Sequence, residues 1–149
     1  YKEFANSTLI DIYGEEELET AYHKQVYEFS SVYLRNKGNS TFEVLKLPTN
    51  AQLGPTMAFE VTDINNDGHL DVLGVGSIYE AEVETIRYDA NTGYILLGDS
   101  NGNLIPHIDN SFFTQANVKD MKKITIKDEE YYLIANNDDD LTIFKLNKA

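Results

Sequence analysis

One stretch of the chain collects side chains that could hold a metal ion: residues 63–71, which lie between two apolar runs. Oxygen-bearing side chains recur at positions 1, 3, 5 and 9 of this stretch, and glycine occupies position 6, where a calcium loop turns most sharply. The predicted ligands are Asp63, Asn65, Asp67 and Asp71 through their side chains and His69 through its backbone carbonyl.

This set of donors suits calcium. Three carboxylates and two neutral oxygens match a hard cation that takes six to eight oxygen ligands, whereas transition metals prefer imidazole or thiolate. Calcium is therefore the predicted cofactor. The alternative is a solvated β-turn without a metal ion, because Asn, Asp and Gly are also the residues that tight turns use.

The stretch is not an EF-hand. An EF-hand needs a bidentate glutamate at position 12, where this chain has Gly74. Residues 70–76 are rich in β-branched side chains and interrupted by glycine, which predicts a strand and not an exit helix. The acidic loop is therefore expected to connect two strands.

Composition narrows the class of partner. The chain has 149 residues, 42% of them hydrophobic, which is enough for a buried core and indicates one domain or part of one. Its net charge of −13 argues against DNA, RNA or an anionic membrane as a partner, because all three bind basic surfaces. No apolar run has the length of a spanning helix, so no membrane insertion is expected.

The sequence does not predict an enzyme. The chain lacks cysteine, which excludes a thiol nucleophile, a disulfide and a cysteine-bound zinc ion. Its histidines, His23, His69 and His107, are scattered, and neither a Ser-His-Asp order nor a phosphate-binding loop occurs. Runs of carboxylates at 80–84 and 138–140 lie in predicted turns, where a solvated acidic surface is the commoner explanation.

The elements that would position the loop follow from hydrophobic periodicity. Apolar residues from Leu18 to Phe29 recur at helical spacing, and glutamates at 15–17 occupy the first turn, where the helix dipole favours anions. A shorter helical turn is predicted to end at Gly14. Residues 1–30 are therefore predicted to be a helical segment that leads into the remainder of the chain.

After this segment the apolar period is two, which predicts short antiparallel strands joined by turns rich in Asn, Asp and Gly. Such strands, at spacings of about 8–15 residues, are typical of a sandwich, a barrel or a propeller. The predicted strands are 31–35, 41–47, 57–62, 70–77, 84–88, 94–98, 104–107, 118–127, 131–136 and 141–146.

Two strand-turn-strand segments, 32–42 and 94–104, echo each other about 62 residues apart, which is near the period of a propeller with long blades. Over most of its length the chain resembles the FG-GAP or VCBS repeat propellers, including the integrin-like and cartilage-acidic-protein-like members. The resemblance is carried by the loop 63–71, the hairpin 36–42, the segment 93–103 and the closing segment 133–138.

The resemblance implies a mainly β fold: about two blades of a β-propeller, built of four-stranded antiparallel blades, with an N-terminal helix. The partial propeller would occupy 31–149, with an outer hairpin at 31–47, a complete blade at 57–107 and a last blade at 118–146. A closed propeller needs at least four blades. The chain is therefore expected to be the C-terminal portion of a longer protein, with open strand edges that favour self-association.

In this family the acidic loop binds calcium, which implies the ligands Asp63, Asn65, Asp67, His69 and Asp71. Only one metal site is expected, because the turn at 127–130 in the last blade is too short for a second loop.

The resemblance also implies a non-catalytic scaffold or adhesion module that binds a protein or a glycan at an extracytoplasmic surface, where calcium is abundant. The alternative is a carbohydrate-binding module, or part of a hydrolase that processes surface polysaccharides. Tyr79, Tyr88 and Tyr94 are the aromatic residues suggested for stacking on sugar in that case.

Overall fold

The structure is a computed structural model that describes residues 1–145. Leu146, the end of the last predicted strand, lies outside the described residues. The helices are α1 (Lys2–Asn6), α2 (Leu9–Tyr13) and α3 (Glu15–Thr20), and a 3₁₀ turn covers Thr49–Gln52. The strands are β1 (Val32–Gly38), β2 (Thr41–Lys46), β3 (Ala58–Thr62), β4 (Asp71–Val75), β5 (Tyr94–Gly98), β6 (Leu104–His107), β7 (Val118–Ile126), β8 (Glu129–Asn136) and β9 (Thr142–Phe144).

The mainly β fold predicted from the sequence is confirmed. Among the described residues the strands form three antiparallel sheets, β1–β2, β3–β6 and β7–β9, and strands adjacent in sequence are also neighbours in each sheet. The β1–β2 hairpin turns at Asn39 and Ser40, and the β7–β8 hairpin at Lys127 and Asp128, all with positive φ. Pairs of this kind match the type I′ turn, whose twist suits that of the flanking strands.

The central sheet, β3–β6, is apolar on both faces. Along β5, Ile95 faces one side and packs with Leu73, whereas Tyr94 and Leu96 face the other side. This alternation follows from the period of two in a strand, which here places an apolar side chain on each face in turn. The first face is covered by residues of β7–β9 and of the segment before it: Phe112, Val118, Met121, Tyr132 and Ile134.

The second face of the central sheet is covered only in part, by Leu47, just after β2, and by the 3₁₀ turn that follows. Phe59 and Val61 of β3, on the same face, are 63% and 45% exposed, and a cavity of about 730 Å³ opens between this face and β1. Ala51, which is 1% exposed, packs with Leu96. The Gln52 side chain holds the base of the hairpin, because its amide accepts the Ser31 N–H at 2.8 Å and donates to the Leu47 carbonyl at 2.9 Å. The base of the hairpin is therefore attached to the central sheet through Ala51 and Gln52.

The N-terminal segment is helical only in part. α2 begins with a capping box between Thr8 and Asp11, and it ends at Gly14 as predicted. The helix predicted through Phe29 is wrong beyond Thr20, because Ala21 is already extended and residues 21–31 form neither helix nor strand. None of the three helices has a buried residue. A short helix without packing is marginal in water, which explains the early end.

The connection between β4 and β5 also differs from the prediction. Residues 84–88 do not form a strand; the only pairing there within the described chain is an isolated bridge between Ile78 and Tyr88. The Thr85 N–H and hydroxyl both bond to the Glu82 carbonyl, at 2.9 and 3.0 Å. This local turn competes with strand pairing.

The β4–β5 connection is fastened to β7 and β8 by a polar cluster around Glu80. Its carboxylate accepts hydrogen bonds from the amides of Asn117 and Asn137, at 2.6 and 2.7 Å, and from the Lys119 ammonium at 2.8 Å. The hydrogen bond from Lys119, followed by that from Asn117, lowers the pKa of Glu80 to about 2. The ionised carboxylate therefore contributes to the folded state at neutral pH.

We predict that Glu80→Gln flattens the acid limb of the stability curve. The pKa of Glu80 lies near 2 in the folded protein and its ordinary value is 4.5. The stabilisation of the fold by the ionised Glu80 carboxylate is therefore fully present above about pH 4.5, and it is lost as the pH falls from there towards 2. Urea denaturation at several pH values between 7 and 2 measures this, and the variant should lose most stability, relative to the natural protein, at neutral pH.

Glu84→Gln, on the same connection and also exposed to solvent, is the control and should keep the pH profile of the natural protein. Parallel profiles for the natural protein and Glu80→Gln would show that the cluster around Glu80 does not stabilise the fold.

Candidate metal centre

The acidic loop connects β3 to β4, as the sequence predicted for a loop between two strands. It starts at the half-buried Asp63 and ends at Asp71, the first residue of β4. Two of its residues have positive φ, Asn66 at 58° and Gly68 at 87°. Glycine adopts such a conformation without steric cost, so the turn is made where the spacing predicted it.

The exposed half of the loop is held by side chains that accept backbone N–H groups. The Asp67 N–H lies 3.1 Å from Asp63 Oδ1 and 3.2 Å from Asn65 Oδ1, and the Gly68 N–H donates to Asp63 Oδ2 at 2.9 Å. Asp67 in turn accepts the His69 N–H at 2.8 Å and the Asn65 amide at 2.9 Å. The side chains at positions 1, 3 and 5 are thereby brought together around the Asp67 backbone.

Asp71 occupies a different environment from the other predicted ligands. It is 0% exposed, and each of its carboxylate oxygens accepts one backbone N–H: Oδ2 from Ile64 at 2.7 Å and Oδ1 from Gly98 at 2.8 Å. A buried carboxylate is tolerated only when such hydrogen bonds replace its hydration. Asp71 therefore joins the start of the loop to the end of β5.

The junction also depends on a close approach of two backbones. A Cβ atom built on Gly98 would collide with the carbonyl oxygen of Leu70, so only glycine lets the loop rest on β5 at this point. Ile64, at the second position of the loop, packs against the core between the central sheet and β7–β9. The buried half of the loop is thus part of the fold itself.

The loop carries uncompensated negative charge. None of the ion pairs among residues 1–145 involves Asp63, Asp67 or Asp71. The pKa of Asp67 lies below its ordinary value, first because of the His69 N–H and then because of the Asn65 amide. Asp67 is therefore ionised at neutral pH, and a cation near these carboxylates would reduce their mutual repulsion.

Across residues 1–145, no three carboxylate or imidazole groups converge on a point where they could hold a metal ion. The loop carboxylates point towards backbone N–H groups instead. Their chemistry still fits a hard cation, because a carboxylate has about four lone-pair sites. The hydrogen bonds to Asp63 and to Asp71 use two sites on each. The structure therefore brings Asp63, Asn65 and Asp67 together and sets Asp71 towards the sheet.

Sequence reasoning treated Asp71 only as a ligand and did not identify its anchoring role or its partner Gly98. The sequence offers only a weak indication of this contact, which is a glycine at the end of a predicted strand, 27 positions after Asp71. Two of the aromatic residues suggested for sugar binding lie in different environments. Tyr94 is 5% exposed and its hydroxyl bonds with Thr56, so it belongs to the core, while the Arg87 guanidinium lies over the Tyr79 ring.

The fold and the loop define a mainly β protein with an acidic, Asx-rich connection between two strands of its central sheet. Comparisons with protein-family models, with curated proteins and with solved structures find no match to the chain. The resemblance to FG-GAP or VCBS propellers therefore stays a prediction that rests on the residues quoted for it. No helix in the described part of the chain is long and apolar enough to cross a membrane.

We predict that Asp71 and Asp67 contribute differently to stability when calcium is removed by a chelator. Asp71→Ala leaves two backbone N–H groups without an acceptor and should destabilise the fold by about 2–6 kcal/mol, at about 1–3 kcal/mol for each. Asp67→Ala is an exposed substitution and should cost less than about 1 kcal/mol. Urea denaturation in excess chelator measures both.

Gly98→Ala tests the same junction from the other strand and should also destabilise the protein in chelator. If Asp71→Ala and Asp67→Ala lose the same stability there, Asp71 does not anchor the loop.

Proposed function

We propose that this protein is a non-catalytic scaffold or interaction module stabilised by calcium, with Asp63, Asn65, Asp67, His69 and Asp71 as the ligands. The observation that carries the proposal is that Asp63, Asn65 and Asp67 are brought together on one turn. No cationic side chain among residues 1–145 forms an ion pair with a carboxylate of the loop. Hard oxygens without imidazole or thiolate are the donors that calcium prefers.

In this proposal the ion supplies positive charge and no chemistry on a substrate. Asp63, Asn65 and Asp67 contribute side-chain oxygens from the exposed half of the loop, and His69 contributes its backbone carbonyl. Asp71 has a double role, because it is already fixed by the N–H groups of Ile64 and Gly98. Binding would therefore reduce carboxylate repulsion in the exposed half of the loop, next to a half that the fold holds in place.

We infer further that the sheets are blades of a propeller of the FG-GAP or VCBS type. The supporting observations are the four consecutive antiparallel strands β3–β6 and the packing of β7–β9 against one face of this sheet. Propeller blades are antiparallel sheets of four strands. In this reading β1–β2 are the outer half of one blade, β3–β6 a complete blade and β7–β9 three strands of another.

The proposed location is extracytoplasmic, on a cell surface or secreted, and the proposed partner is a protein or a glycan. Calcium sites of extracellular modules have dissociation constants of roughly 10⁻⁴–10⁻³ M. Such sites fill only where calcium reaches those concentrations. The net charge of −13 is consistent with a partner that is neither nucleic acid nor an anionic membrane.

We predict that calcium raises the melting temperature of the natural protein. At about 10 mM calcium and the affinity given above, binding adds about 1.4–2.7 kcal/mol to stability. For a chain of this size that corresponds to an increase of about 3–10 °C. Thermal melts followed by circular dichroism, in calcium and in chelator, measure the shift, and Asp67→Ala should abolish it.

Asp99→Ala is the matched control. Asp99 is a half-buried aspartate in the β5–β6 turn, where it accepts N–H groups from Asn101 and Asn103 in a local arrangement like that of the loop. This variant should keep the full response to calcium. Coincident melts of the natural protein in calcium and in chelator would refute the metal site.

A further inference from the structure

The cavity beside the second face of the central sheet has an apolar floor and a strand along one side. Phe59, Val61 and Val72 of the central sheet contribute to its floor. Residues 31–33, at the start of β1, line its side, whereas no residue of β2 (Thr41–Lys46) lines it in the described part of the chain. The cavity is therefore bordered by the edge of β1 and not by the face of the hairpin.

This edge of β1 presents backbone groups without a neighbouring strand, because among residues 1–145 β1 pairs only with β2. The Leu47 N–H donates to the Ser31 carbonyl at 3.0 Å, next to the opposed pair of Val32 and Lys46. Hydrogen bonds to one neighbour alternate along an antiparallel strand, so the N–H and C=O groups of Val32 and Leu34 point to the free edge. A free edge of this kind is a template for a further strand, so an extended backbone is what fits it.

The residues directly before β1 supply an apolar segment that has no packing partner. Residues 21–29 form neither helix nor strand, and all of them are exposed. The exposed fractions are 86%, 64%, 86% and 88% for Tyr22, Val26, Tyr27 and Phe29. In an extended conformation nine residues span roughly 30 Å, whereas a strand of the length of β1 spans roughly 23 Å. We call residues 21–29 the unpaired segment; it is long enough to run along the whole of β1.

The unpaired segment is held away from the free edge of its own β1. One oxygen of Glu28 forms an ion pair with Lys46 of β2 at 3.1 Å, and the other accepts the Ser30 N–H at 2.8 Å. Ser31 is fixed in turn by Gln52 and Leu47. The chain therefore enters β1 from the side of β2, and reversing onto the free edge would break these bonds.

We propose that two copies of this chain exchange their unpaired segments, so that the segment of each copy adds a strand to the free edge of β1 in the other and fills the cavity there. Alternate side chains of a strand face opposite sides, and both alternate sets of this segment are apolar: Tyr27 with Phe29, and Tyr22 with Val26. One set covers the floor of the cavity, and the other packs beside Leu34, which is 54% exposed. Because the exchange is reciprocal, the dimer has two-fold symmetry.

Charge selects the direction of the added strand. Asp99 lines the cavity from the β5–β6 turn, whose Gly102 carbonyl accepts the Arg35 guanidinium of β1. No ion pair among residues 1–145 involves Asp99. An antiparallel strand places Lys24 at this end of the cavity, whereas a parallel strand would place Glu28 there. Opposite charges attract, so the antiparallel direction is favoured, and this is the direction that the two-fold exchange requires.

This inference goes beyond the proposed function and uses none of the calcium ligands. It rests on the free edge of β1, the cavity and the unpaired segment. The dimer is therefore expected both in calcium and in chelator, and a failure of one proposal does not decide the other.

Sedimentation velocity of the full chain in chelator, with a proline in the free edge, tests the strand addition. Interfaces of ordinary size reach micromolar or tighter affinity, so the natural protein should form dimers at about 1–100 µM. Leu34→Pro removes an N–H from the free edge and none from the pairing of β1 with β2, and it should weaken the dimer at least about tenfold.

Val44→Pro is the matched control. Val44 lies opposite Leu34, and its N–H points to the outer edge of β2, away from the cavity. Both variants should keep the fold of the natural protein, as checked by circular dichroism, and Val44→Pro should dimerise like the natural protein. Equal weakening by the two prolines would overturn the proposal.

The unpaired segment is tested with Phe29→Asp, at a side chain that is 88% exposed in the single chain. This variant should fold normally and dimerise at least about tenfold more weakly, because the aspartate would be buried in the partner's cavity. Phe4→Asp, at a side chain of α1 that is 69% exposed, is the control and should leave the dimer unchanged. A dimer that Phe29→Asp does not weaken would overturn the proposal.

An equimolar mixture of Leu34→Pro and Phe29→Asp distinguishes exchange from any other contact between copies. Leu34→Pro keeps a natural segment and Phe29→Asp keeps a natural free edge, so a mixed dimer contains one intact half of the exchange. The mixture should therefore dimerise more tightly than either variant alone. A mixture no tighter than the single variants, or natural protein that is monomeric over the whole concentration range, would overturn the proposal.

Discussion

The central sheet carries buried apolar side chains on both of its faces, and the arrangement of the elements around it follows from this constraint. An antiparallel sheet commonly buries one face and leaves the other to water, with polar residues alternating accordingly. β4 and β5 do not follow that pattern, because Leu73 and Ile95 face one side while Tyr94 and Leu96 face the other, all of them buried. The chain after the sheet folds back as β7–β9 and covers the first face, whereas the chain before it covers the second face around Leu96 and leaves Phe59 and Val61 exposed.

Polar side chains at the two ends of β4 add hydrogen bonds to the apolar contacts of the sheet faces. Ser77, just after β4, donates its hydroxyl to the Ala116 carbonyl at 2.7 Å and accepts the Val118 N–H at 2.8 Å. Asp71, at the other end of β4, accepts N–H groups from the loop and from β5. The Ser77 hydrogen bonds hold the central sheet in one position against β7, and the Asp71 hydrogen bonds hold the loop and β5 in one position against β4.

The strands could be predicted closely where alternation and turn residues agree. The predicted strands 94–98 and 104–107 are β5 and β6 without change, because the Asp, Asn and Gly residues between them allow only a short turn. The helix predicted beyond Thr20 could not be excluded from sequence, because the apolar residues there do recur at helical spacing. The structure offers them no surface to pack on, and α3 ends at Thr20. The junction of Asp71 and Gly98 depends on two strands meeting, which no local pattern of residues encodes.

The environment of Asp71 limits what a cation in the loop could do. The turn is already formed by backbone N–H groups bound to Asp63, Asn65 and Asp67, and its buried end is fixed by Asp71. A folded loop of this kind pays little conformational entropy to receive an ion, but it also gains little order from it. Calcium would then act chiefly by neutralising carboxylate repulsion in the exposed half. Its effect on stability should therefore add to that of a fold which the apolar contacts of the central sheet already determine.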